Sequence, residues 1–584
     1  MPRPQYSFVS ALEGRHDLKG YDNRLVLFAM QLILGIEDIE AVVVDDLIAN
    51  VDGPDDGGID FVHVDTENRF IVVGQEYIAN GKKAHTATAV PRLTKAKGLT
   101  SGLQVLLNKP IDEVPERLRS SANKVRSVIG SGAVDTIHIW LVHNLAGSKN
   151  MKDELRTAEI AARSASKDNI EVVSLEVSAD EIERRYKSLS TPILVNKKFQ
   201  IDIGEHMIVT AEHWEAITAS VPLAWFYDQY KKYGTDLFSA NVRDYLGIPK
   251  RVNQNINSNI QLTAEKDPAN FWVFNNGMTA LVHDFGVKNN RLNISGVSIL
   301  NGAQTTGAIS NLPKKPKDTA LVQVRFVKCD SGDIINQIRR YNNSQNKIEA
   351  PDFRSSDSVQ TRLQGEFSST KINYLSRRGG IEDIVKRKPN TLPSVLAGQI
   401  LAAFHGRPDI AYHEKTKIWE DDLMYGKYFN EHTQAKHIVL AYALFEAVKN
   451  KKALLVKQDK EDKLKDIERD QLTFFRTRGA VFLMISAVAN CLETFLGNKI
   501  ANKFRLEFKN NVSWPEAITI WGPLVEIASQ LSSSLQSGFA AGAIREQQAN
   551  EAIKQFSALI AAVGPSNKTI YNDFASKVIE RVKK

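Results

Sequence analysis

Apolar and polar positions divide the chain into two stretches of different character. Up to residue 388, short apolar runs of strand length alternate with amphipathic segments of helical period, which predicts α/β and α+β domains. From residue 389 the strand-like runs fade, and long amphipathic segments follow at 393–404, 432–448, 470–496, 514–534 and 547–562. The pattern predicts a multidomain protein of mixed α/β and α class whose last part, 389–584, is a helical domain.

Residues 1–178 predict an α/β domain. Helix-like segments at 94–107, 112–129 and 153–165 alternate with strand-like runs at 42–44, 61–64, 70–73, 136–143 and 170–175. The run Thr136–His143 is apolar on both faces, as in a central strand. Residues 179–234 are predicted to be a linker or junction that includes a helix at Trp214–Lys232.

An Asn-Gly turn follows the apolar run Phe271–Phe274. This run and Met278–Val282 are both strand-like, and Asn275-Asn276-Gly277 stands between them. Asn-Gly between two such runs is typical of a β-hairpin, because both residues accept positive φ. The spacing therefore predicts a hairpin here.

A second Asn-Gly pair, Asn301-Gly302, stands between a strand-like run at 297–300 and a helix that starts at Ala303. A strand, a glycine turn and a helix N-terminus leave backbone N–H groups pointing one way, which is a physical basis for phosphate binding. Both Asn-Gly pairs are also consistent with ordinary turns.

Together these motifs, FW-x-x-NNG-x-T and x-L-NG-x-QT, resemble the core signature of the AIPR family (abortive infection phage resistance proteins). Flanking motifs of the family occur in the same order: LFSANVRDYLG at 237–247, VRF at 324–326 and IRRYNNSQNK at 338–347. Several ordered motifs are more specific than one. The resemblance implies an anti-phage protein with an AIPR core domain at 235–388, in which a second site is shaped by Asn275, Asn276, Gly277, Asn301, Gly302, Gln304 and Thr305.

Basic and amide side chains gather after this signature. Amides carry both donors and acceptors and can read base edges, although Asn also favours helix ends and turns. Tyr341 and Tyr374 offer rings for base stacking. The cluster predicts a nucleic-acid surface, unless the arginines pair with acidic residues elsewhere. The residues assigned to binding here are Arg325, Arg339, Arg340, Asn343 and Asn346, and further basic residues nearby are Lys328, Arg354 and Arg387.

Charge changes sign sharply near the N-terminus. Residues 37–67 hold eleven acidic residues and no Lys or Arg, and basic residues dominate from Lys82 to Arg126. Such a reversal suits an acidic metal centre beside a basic nucleic-acid channel, although solvated acidic and basic faces give the same pattern.

Within the acidic block, Gly57-Gly58-Ile59-Asp60 enters one strand, and Gln75-Glu76-Tyr77 ends the next. This layout resembles the Mrr-like variant of the PD-(D/E)xK nuclease fold, GGID followed by Q-x-K. The chemistry needs carboxylates that hold a divalent cation and a Lys that supports phosphate cleavage. The resemblance implies Mg²⁺ or Mn²⁺ as cofactor, with Asp60 and Glu76 as metal ligands.

The second half of the nuclease pattern departs from the family. If Gln75 takes the Gln position, Tyr77 stands where Lys is expected, and shifting by one residue puts Glu76 there instead. Lys82 or Lys83 from the following segment would have to replace it. The assigned catalytic residues are thus Asp60, Gln75, Glu76, Lys82 and Lys83, and whether the domain is an active endonuclease stays open.

Composition narrows the class of protein and the kind of partner further. The 584 residues include two cysteines, too few for a disulfide framework or a Cys-based zinc site, which suits a reducing cytoplasm. The run 479–492 is too short to span a membrane and predicts a buried helix. A net charge of +7 leans toward a polyanionic partner, with DNA favoured over RNA. The helical part predicts a homo-oligomer contact.

Three interpretations follow from these patterns. In the first, the protein cleaves nucleic acid through the metal-dependent site at Asp60. In the second, the nuclease-like domain has lost cleavage and the protein is a nucleic-acid-binding or sensor protein of the same family. In the third, the active site lies at the AIPR motifs around Asn301.

Overall fold

A computed structural model describes residues 6–18, 21, 23–36, 43–44, 58–66, 69–79, 93–166, 170–190, 192–239, 259–310, 312–342, 354–355, 357–376, 381–540 and 543–581. The chain divides into two compact units. Unit 1 comprises Met1–Leu12, Phe28–Ile36 and Val51–Lys347, and unit 2 comprises Glu13–Leu27, Glu37–Asn50 and Ile348–Lys584. The first elements are α1 (Ser7–Gly14), α2 (Arg24–Leu34) and β1 (Val43–Val44).

Unit 1 contains a sheet in which β2, β3, β4 and β5 pair in chain order. The β2–β3 pair is an antiparallel hairpin, whereas β3–β4 and β4–β5 are parallel. Parallel neighbours need crossovers, and the intervening helices supply them. The elements are β2 (Phe61–Asp65), β3 (Phe70–Tyr77), α3 (Leu93–Leu107), α4 (Glu116–Gly130), β4 (Thr136–His143), α5 (Lys149–Ala165), β5 (Glu171–Val177) and α6 (Ala179–Ser190).

Strand β4 lies between β3 and β5 and is buried along its whole length, as its apolar faces predict. Ser148 caps the next helix, α5, because its side chain accepts a hydrogen bond from the Met151 N–H at 3.2 Å. Strands and helices alternate along this part of the chain, in agreement with the mixed α/β class expected of the protein.

The second sheet of unit 1 has seven strands. Its order is β10–β11–β9–β12–β8–β7, and β6 also pairs with β11. All neighbours along the order are antiparallel except β9 and β12, which are parallel. The strands are β6 (Val195–Asp202), β7 (His206–Thr210), β8 (Trp214–Pro222), β9 (Met278–Val282), β10 (Asp284–Lys288), β11 (Arg291–Asn301) and β12 (Leu321–Cys329).

One face of this sheet carries the main core of unit 1. Phe326, Ile217 and Ala280 are register neighbours on that face, and all three are buried. Helices pack on the core: α7 (Leu223–Tyr233), α8 (259–266), α9 (Phe271–Phe274) and α10 (Ala303–Ser310). The opposite face is covered at one end by α11 (Gly332–Asn342), whose Ile335 and Ile338 pack on a small apolar cluster that includes Leu281 and Val327.

Unit 2 is mainly helical, as the sequence predicts for 389–584. Its largest buried side chains include Trp419, Trp521 and Phe404. The helices are α12 (Ser358–Phe367), α13 (Ile381–Val385), α14 (Ser394–Phe404), α15 (Pro408–His413), α16 (Lys417–Glu420), α17 (Asp422–Tyr428), α18 (Ala435–Lys460), α19 (Asp466–Arg476), α20 (Ala480–Asn490), α21 (Leu492–Leu496), α22 (Trp514–Gln530), α23 (Glu546–Ala562) and α24 (Lys568–Lys577). Short strand pairs join β13 (Asn373–Leu375) to β14 (Thr391–Pro393), β15 (Leu506–Phe508) to β18 (Val578–Glu580), and β16 (Phe539–Ala540) to β17 (Ala543–Ile544).

Three element predictions are wrong. Phe271–Phe274 is helix α9 rather than a strand, so the first Asn-Gly turn joins a helix to β9 and is no hairpin. The segment Trp214–Lys232 is not one helix, because β8 runs to Pro222 and α7 begins after it. The long helix predicted at 470–496 is three helices, with Gly479 at φ +76° just before the second.

The apolar run from 479 forms helix α20, and all its residues except Asn490 are buried within unit 2. The prediction of a buried helix is therefore confirmed. Among the described residues, no single helix is both long and apolar enough to cross a bilayer. The helices α19 and α20 together reach that length and hydropathy, with a bend of 108° between them.

Candidate nucleic-acid interface

One row of side chains crosses five strands of the seven-stranded sheet. Asn301 of β11 pairs with Thr279 of β9, Thr279 with Arg325 of β12, Arg325 with Thr218 of β8, and Thr218 with Met207 of β7. Register partners project to the same face, so these side chains share the face that α11 covers only in part. At about 4.8 Å between strands, the row spans about 19 Å.

A second row lies beside the first on the same face. Gln323 of β12 pairs with Ser220 of β8, and both stand two positions from members of the first row. We call Asn301, Thr279, Arg325, Thr218, Gln323 and Ser220 the polar strip. It contains amides, hydroxyls and one guanidinium but no carboxylate.

The polar strip follows from alternation along the strands. In β12, Val322, Val324 and Phe326 are buried in the core, whereas Gln323 and Arg325 are exposed on the other face. A bulge between Ile299 and Asn301 shifts the β11–β9 register. Asn301 is thereby placed opposite Thr279 and remains exposed.

Arg325 is the cation of the polar strip. It is exposed, and no hydrogen bond or ion pair joins it to another side chain in the part of the chain that the structure describes. By contrast, Lys328 on the same strand donates to Asp284 Oδ1 at 2.7 Å, which raises the pKa of Lys328 through that hydrogen bond and charge. Arg325 is therefore available to an anionic ligand.

In the first Asn-Gly turn, Asn275 and Gly277 each have a structural role. Asn275 Nδ2 donates to Phe271 O at 2.9 Å and closes helix α9. Gly277 has φ +79°, and a Cβ there would stand 2.9 Å from Gln323 O. Asn276, between them, is exposed. The turn thus lies against the polar strip at Gln323.

The second turn has a similar explanation. Gly302 has φ +109°, and a Cβ there would meet the Met278 side chain at 2.6 Å. The Thr306 backbone N–H and hydroxyl both donate to Gly302 O at 2.9 Å. Thr305 is half-buried in α10, and the side chain of Gln304 is not among those described. The positive φ and the packing on Met278 together account for the glycine.

Only some of the remaining predicted binding residues lie in the part of the chain that the structure describes. Arg339 and Arg340 lie in the last two turns of α11, but their side chains, like that of Tyr341, are outside the described set. Asn343 and Asn346 lie outside the described residues altogether. Among the described basic residues, the pairing alternative holds for Arg354, which donates to Asp422 Oδ1 at 2.6 Å and stands over the Tyr425 ring.

Tyr374 does not offer a ring for base stacking, which corrects the prediction. Its ring is stacked on Phe367 with centroids 4.6 Å apart, and only 7% of the residue is exposed. Its hydroxyl donates to Gln360 Oε1 at 2.7 Å. Burial raises the pKa of Tyr374 well above its ordinary value. The residue belongs to the core of unit 2.

The predicted nuclease residues lie at the β2–β3 hairpin. Gly58 has φ +69°, and a Cβ there would stand 2.0 Å from Gly98 O in α3, so the turn before β2 touches that helix backbone to backbone. The Glu76 N–H donates to Asp60 Oδ2 at 2.8 Å, which fixes this carboxylate beside β3. Asp60 thus lies directly before the start of β2, with its carboxylate beside β3.

Gln75 lies on the face toward α3. Its side chain is near Gly98, only 2% of the residue is exposed, and its Oε1 has no hydrogen-bond partner among the described residues. Phe61 lies over Gly74 on the opposite face. Because side chains alternate, Asp60 projects to the Gln75 face, whereas Glu76 projects to the other.

Among the described residues, the structure adds no further metal ligand and no lysine at the position that the family pattern requires. No group of three or more His, Cys, Asp or Glu side chains within the described ranges is placed to hold a metal ion. Tyr77 ends β3 at the position where the family pattern has Lys. Lys82 and Lys83 lie outside the described residues.

Comparison with known families identifies the central segment. Residues 238–517 match the model of the family described as AIPR protein. The match supports membership of the AIPR family. It contains α9, β9 and the β11–β12 part of the polar strip, and it extends past the predicted boundary at 388 into the helical unit. The nuclease-like residues lie outside the AIPR match, and the predicted Mrr-like domain stays a prediction. No curated protein and no solved structure is significantly similar to this chain.

Sequence reasoning identified Asn301 and Arg325 but missed the residues that connect them. Thr279, Thr218, Gln323 and Ser220 are unremarkable in sequence, and the sequence predicts a helix where β8 runs. The outward positions of β12, Gln323 and Arg325 in a Val-Gln-Val-Arg-Phe run, were the available signal.

Proposed function

We propose that this AIPR protein acts in anti-phage defence by binding nucleic acid on the polar strip. The observation that carries the proposal is the register row Asn301–Thr279–Arg325–Thr218, in which buried Thr279 joins the exposed side chains of Asn301 and Arg325 on one sheet face. The AIPR match supports the defence role.

The chemistry of the polar strip suits a nucleic acid. Most protein contacts to nucleic acid go to phosphate and sugar, and they use arginine, amide and hydroxyl groups such as these. Arg325 supplies the charge, and the absence of carboxylates from the strip leaves that charge uncompensated within it. The flanking amides of Asn301 and Gln323 offer both donors and acceptors to base edges.

The test replaces Arg325 by alanine and measures affinity for labelled DNA and RNA over a range of salt. Loss of one phosphate contact should weaken binding and reduce the slope of log K against log salt by about 0.7–0.9. Arg291→Ala is the matched control, because Arg291 is an exposed arginine of the same sheet that pairs with Asp202 at 2.8 Å. If both variants bind with the affinity and salt dependence of the wild-type protein, the proposal is contradicted.

Cleavage is a second candidate function, supported by the arrangement of Asp60 and Gln75. The mixed sheet, with an antiparallel hairpin followed by parallel strands, has the layout that the nuclease resemblance implies. Asp60 and the buried Gln75 Oε1, which has no hydrogen-bond partner among the described residues, offer two oxygen donors on one face, and Mg²⁺ prefers oxygen ligands. These residues fit such an ion, whereas Glu76 projects to the other face.

In this mechanism a bound divalent cation supplies charge neutralisation at the scissile phosphate. The Glu76 N–H holds the Asp60 carboxylate in position, and Gln75 orients its carbonyl from the α3 side. The cationic side chain that the chemistry needs would come from Lys82 or Lys83, which lie outside the described residues, since β3 carries none at its end.

Cleavage of plasmid DNA and total RNA, with Mg²⁺ or Mn²⁺ and with EDTA, tests this candidate. Asp60→Asn keeps an acceptor for the Glu76 N–H but removes the charge, so activity should be lost while the strand pairing is retained. Asp65→Asn on the same strand is the control. Metal-dependent cleavage that survives Asp60→Asn but not Asn301→Ala would place the active site at the AIPR turn instead.

A further inference from the structure

Helix α9 exposes an unusual set of side chains. Only Phe271 is buried, whereas Trp272 is 43% exposed, Val273 71% and Phe274 66%. Trp272 and Phe274 are the only exposed tryptophan and phenylalanine in the described part of the chain. Pro268 starts the 3₁₀ turn that precedes α9, and the Asn275 side chain closes α9 itself. The two rings are therefore presented by a short, capped helix.

The indole of Trp272 is fixed beside the polar strip. Its Nε1–H donates to Ser220 Oγ at 3.0 Å, and Ser220 pairs with Gln323. Gln323 stands two positions from Arg325 on the same face, so the indole contacts the second row of the polar strip, next to the row that contains Arg325. A tryptophan held by its polar edge keeps its ring oriented without help from a ligand.

The charge and polarity of these neighbours decide the kind of ligand. A protein surface docked on Trp272 and Phe274 would also bury Arg325, Gln323 and Asn301, and it would need a matched partner for each. A single strand of nucleic acid provides them together: bases for the rings, phosphates for the guanidinium, and sugar or base edges for the amides. In a duplex the bases are already stacked and paired, and their faces are covered.

We propose that α9 and the polar strip form a binding site for single-stranded nucleic acid, with bases stacked on Trp272 and Phe274 and the backbone held at Arg325. This inference rests on the proposed nucleic-acid binding and adds the class of substrate. Recognition by stacking is tolerant of sequence, because every base has a π-face.

The experiment measures the affinity of the full chain for three labelled probes by fluorescence anisotropy. They are a single strand of about 20 nucleotides, longer than typical binding sites for single strands, an abasic strand of the same length, and the matching duplex. Trp272→Ala and Phe274→Ala should each weaken binding of the normal single strand by about 5- to 150-fold. Binding of the abasic strand should be unchanged.

Val273→Ala is the matched control, because it removes exposed apolar surface from the same helix without removing a ring. Trp272→Phe tests the role of the ring separately and should recover most of the loss. If Trp272→Ala and Val273→Ala bind all probes alike while Arg325→Ala weakens every one, the stacking site is refuted and the proposed function stands. If the wild-type protein binds none of the probes, both are refuted.

Discussion

The contact between Gly58 and Gly98 makes a sharp prediction about the turn that carries Asp60. Gly58 has φ +69°, and an ideal Cβ there would stand 2.0 Å from Gly98 O and 2.4 Å from Gly98 C. Both atoms belong to the backbone of helix α3, so no side chain can swing aside. Gly58→Ala must therefore move the turn, the helix or both.

The cost has two parts. An L-residue in the left-handed region costs about 1–2 kcal/mol. Forcing an added methyl into close-packed atoms costs about 1–3 kcal/mol more. Together they predict about 2–5 kcal/mol for Gly58→Ala. Gly132 provides the matched control, because its φ is +67° but a Cβ there would meet nothing within 4 Å. Gly132→Ala should show only the first part.

Hydrogen–deuterium exchange measures these costs locally, which suits a chain of several units. Gly58→Ala should accelerate exchange in β2 and the first half of α3 by about 5- to 150-fold more than Gly132→Ala accelerates it around residue 132. Because the turn leads directly into Asp60, displacement of the turn should also lower any metal-dependent cleavage activity. Equal, small effects of the two variants would refute the close approach of turn and helix.

Two further predictions concern unit 2. Burial acts to raise the pKa of Asp17, but the hydrogen bonds and charge of Arg15, with Lys449 and Arg387, outweigh it and lower the pKa to about 2. This carboxylate therefore stabilises the fold above its unfolded pKa of about 3.9, and the effect is lost as pH falls toward 2. Asp17→Asn should cost about 2 kcal/mol in urea unfolding at pH 7 and little at pH 2, and a gap independent of pH contradicts this. Asp357 caps α12 at the Gln360 N–H, 2.7 Å away, and accepts from the Tyr425 hydroxyl. Asp357→Ala should lower the stability measured by thermal unfolding by at least about 0.5–2 kcal/mol. Asp357→Asn should cost less, because its side-chain oxygen can still accept from the Gln360 N–H. Equal losses in the two variants would exclude the capping role.

The sequence predicted elements where one local signal was strong. The predicted bounds of strand β4 agree with the structure, because its residues are mostly β-branched, aromatic or apolar and both of its faces are apolar. The four apolar residues Phe271–Phe274 were misread, because a run this short fits either state and periodicity cannot separate them. Pro222 marked the true boundary between β8 and α7, since proline favours the start of a helix and not its interior.

The candidate interface was harder to predict than its elements. Asn301 and Arg325 lie in one row, on either side of Thr279, only because β9 lies between β11 and β12, and strand order is a property of non-local pairing. No signal within either motif specifies it. The role of Trp272 likewise depends on Ser220, which is 52 positions away in sequence.

The composition of unit 2 has a consequence for synthesis of the chain. Arg15 is only 1% exposed, and its Nη1 donates to Ile384 O at 2.9 Å, from a position 369 residues earlier. At translation rates of about 5–20 residues per second, Arg15 waits about 20–70 s before its acceptor is synthesised.

During that interval the early segment of unit 2 has no completed core to join. Expression of residues 348–584 alone would leave the Ile384 carbonyl without this donor, and a fragment that stops at 347 would leave Arg15 without its acceptor. Fragments of this protein are therefore best made by joining the early segment to the late one, and the helical unit can complete this contact only after residue 384 has been synthesised.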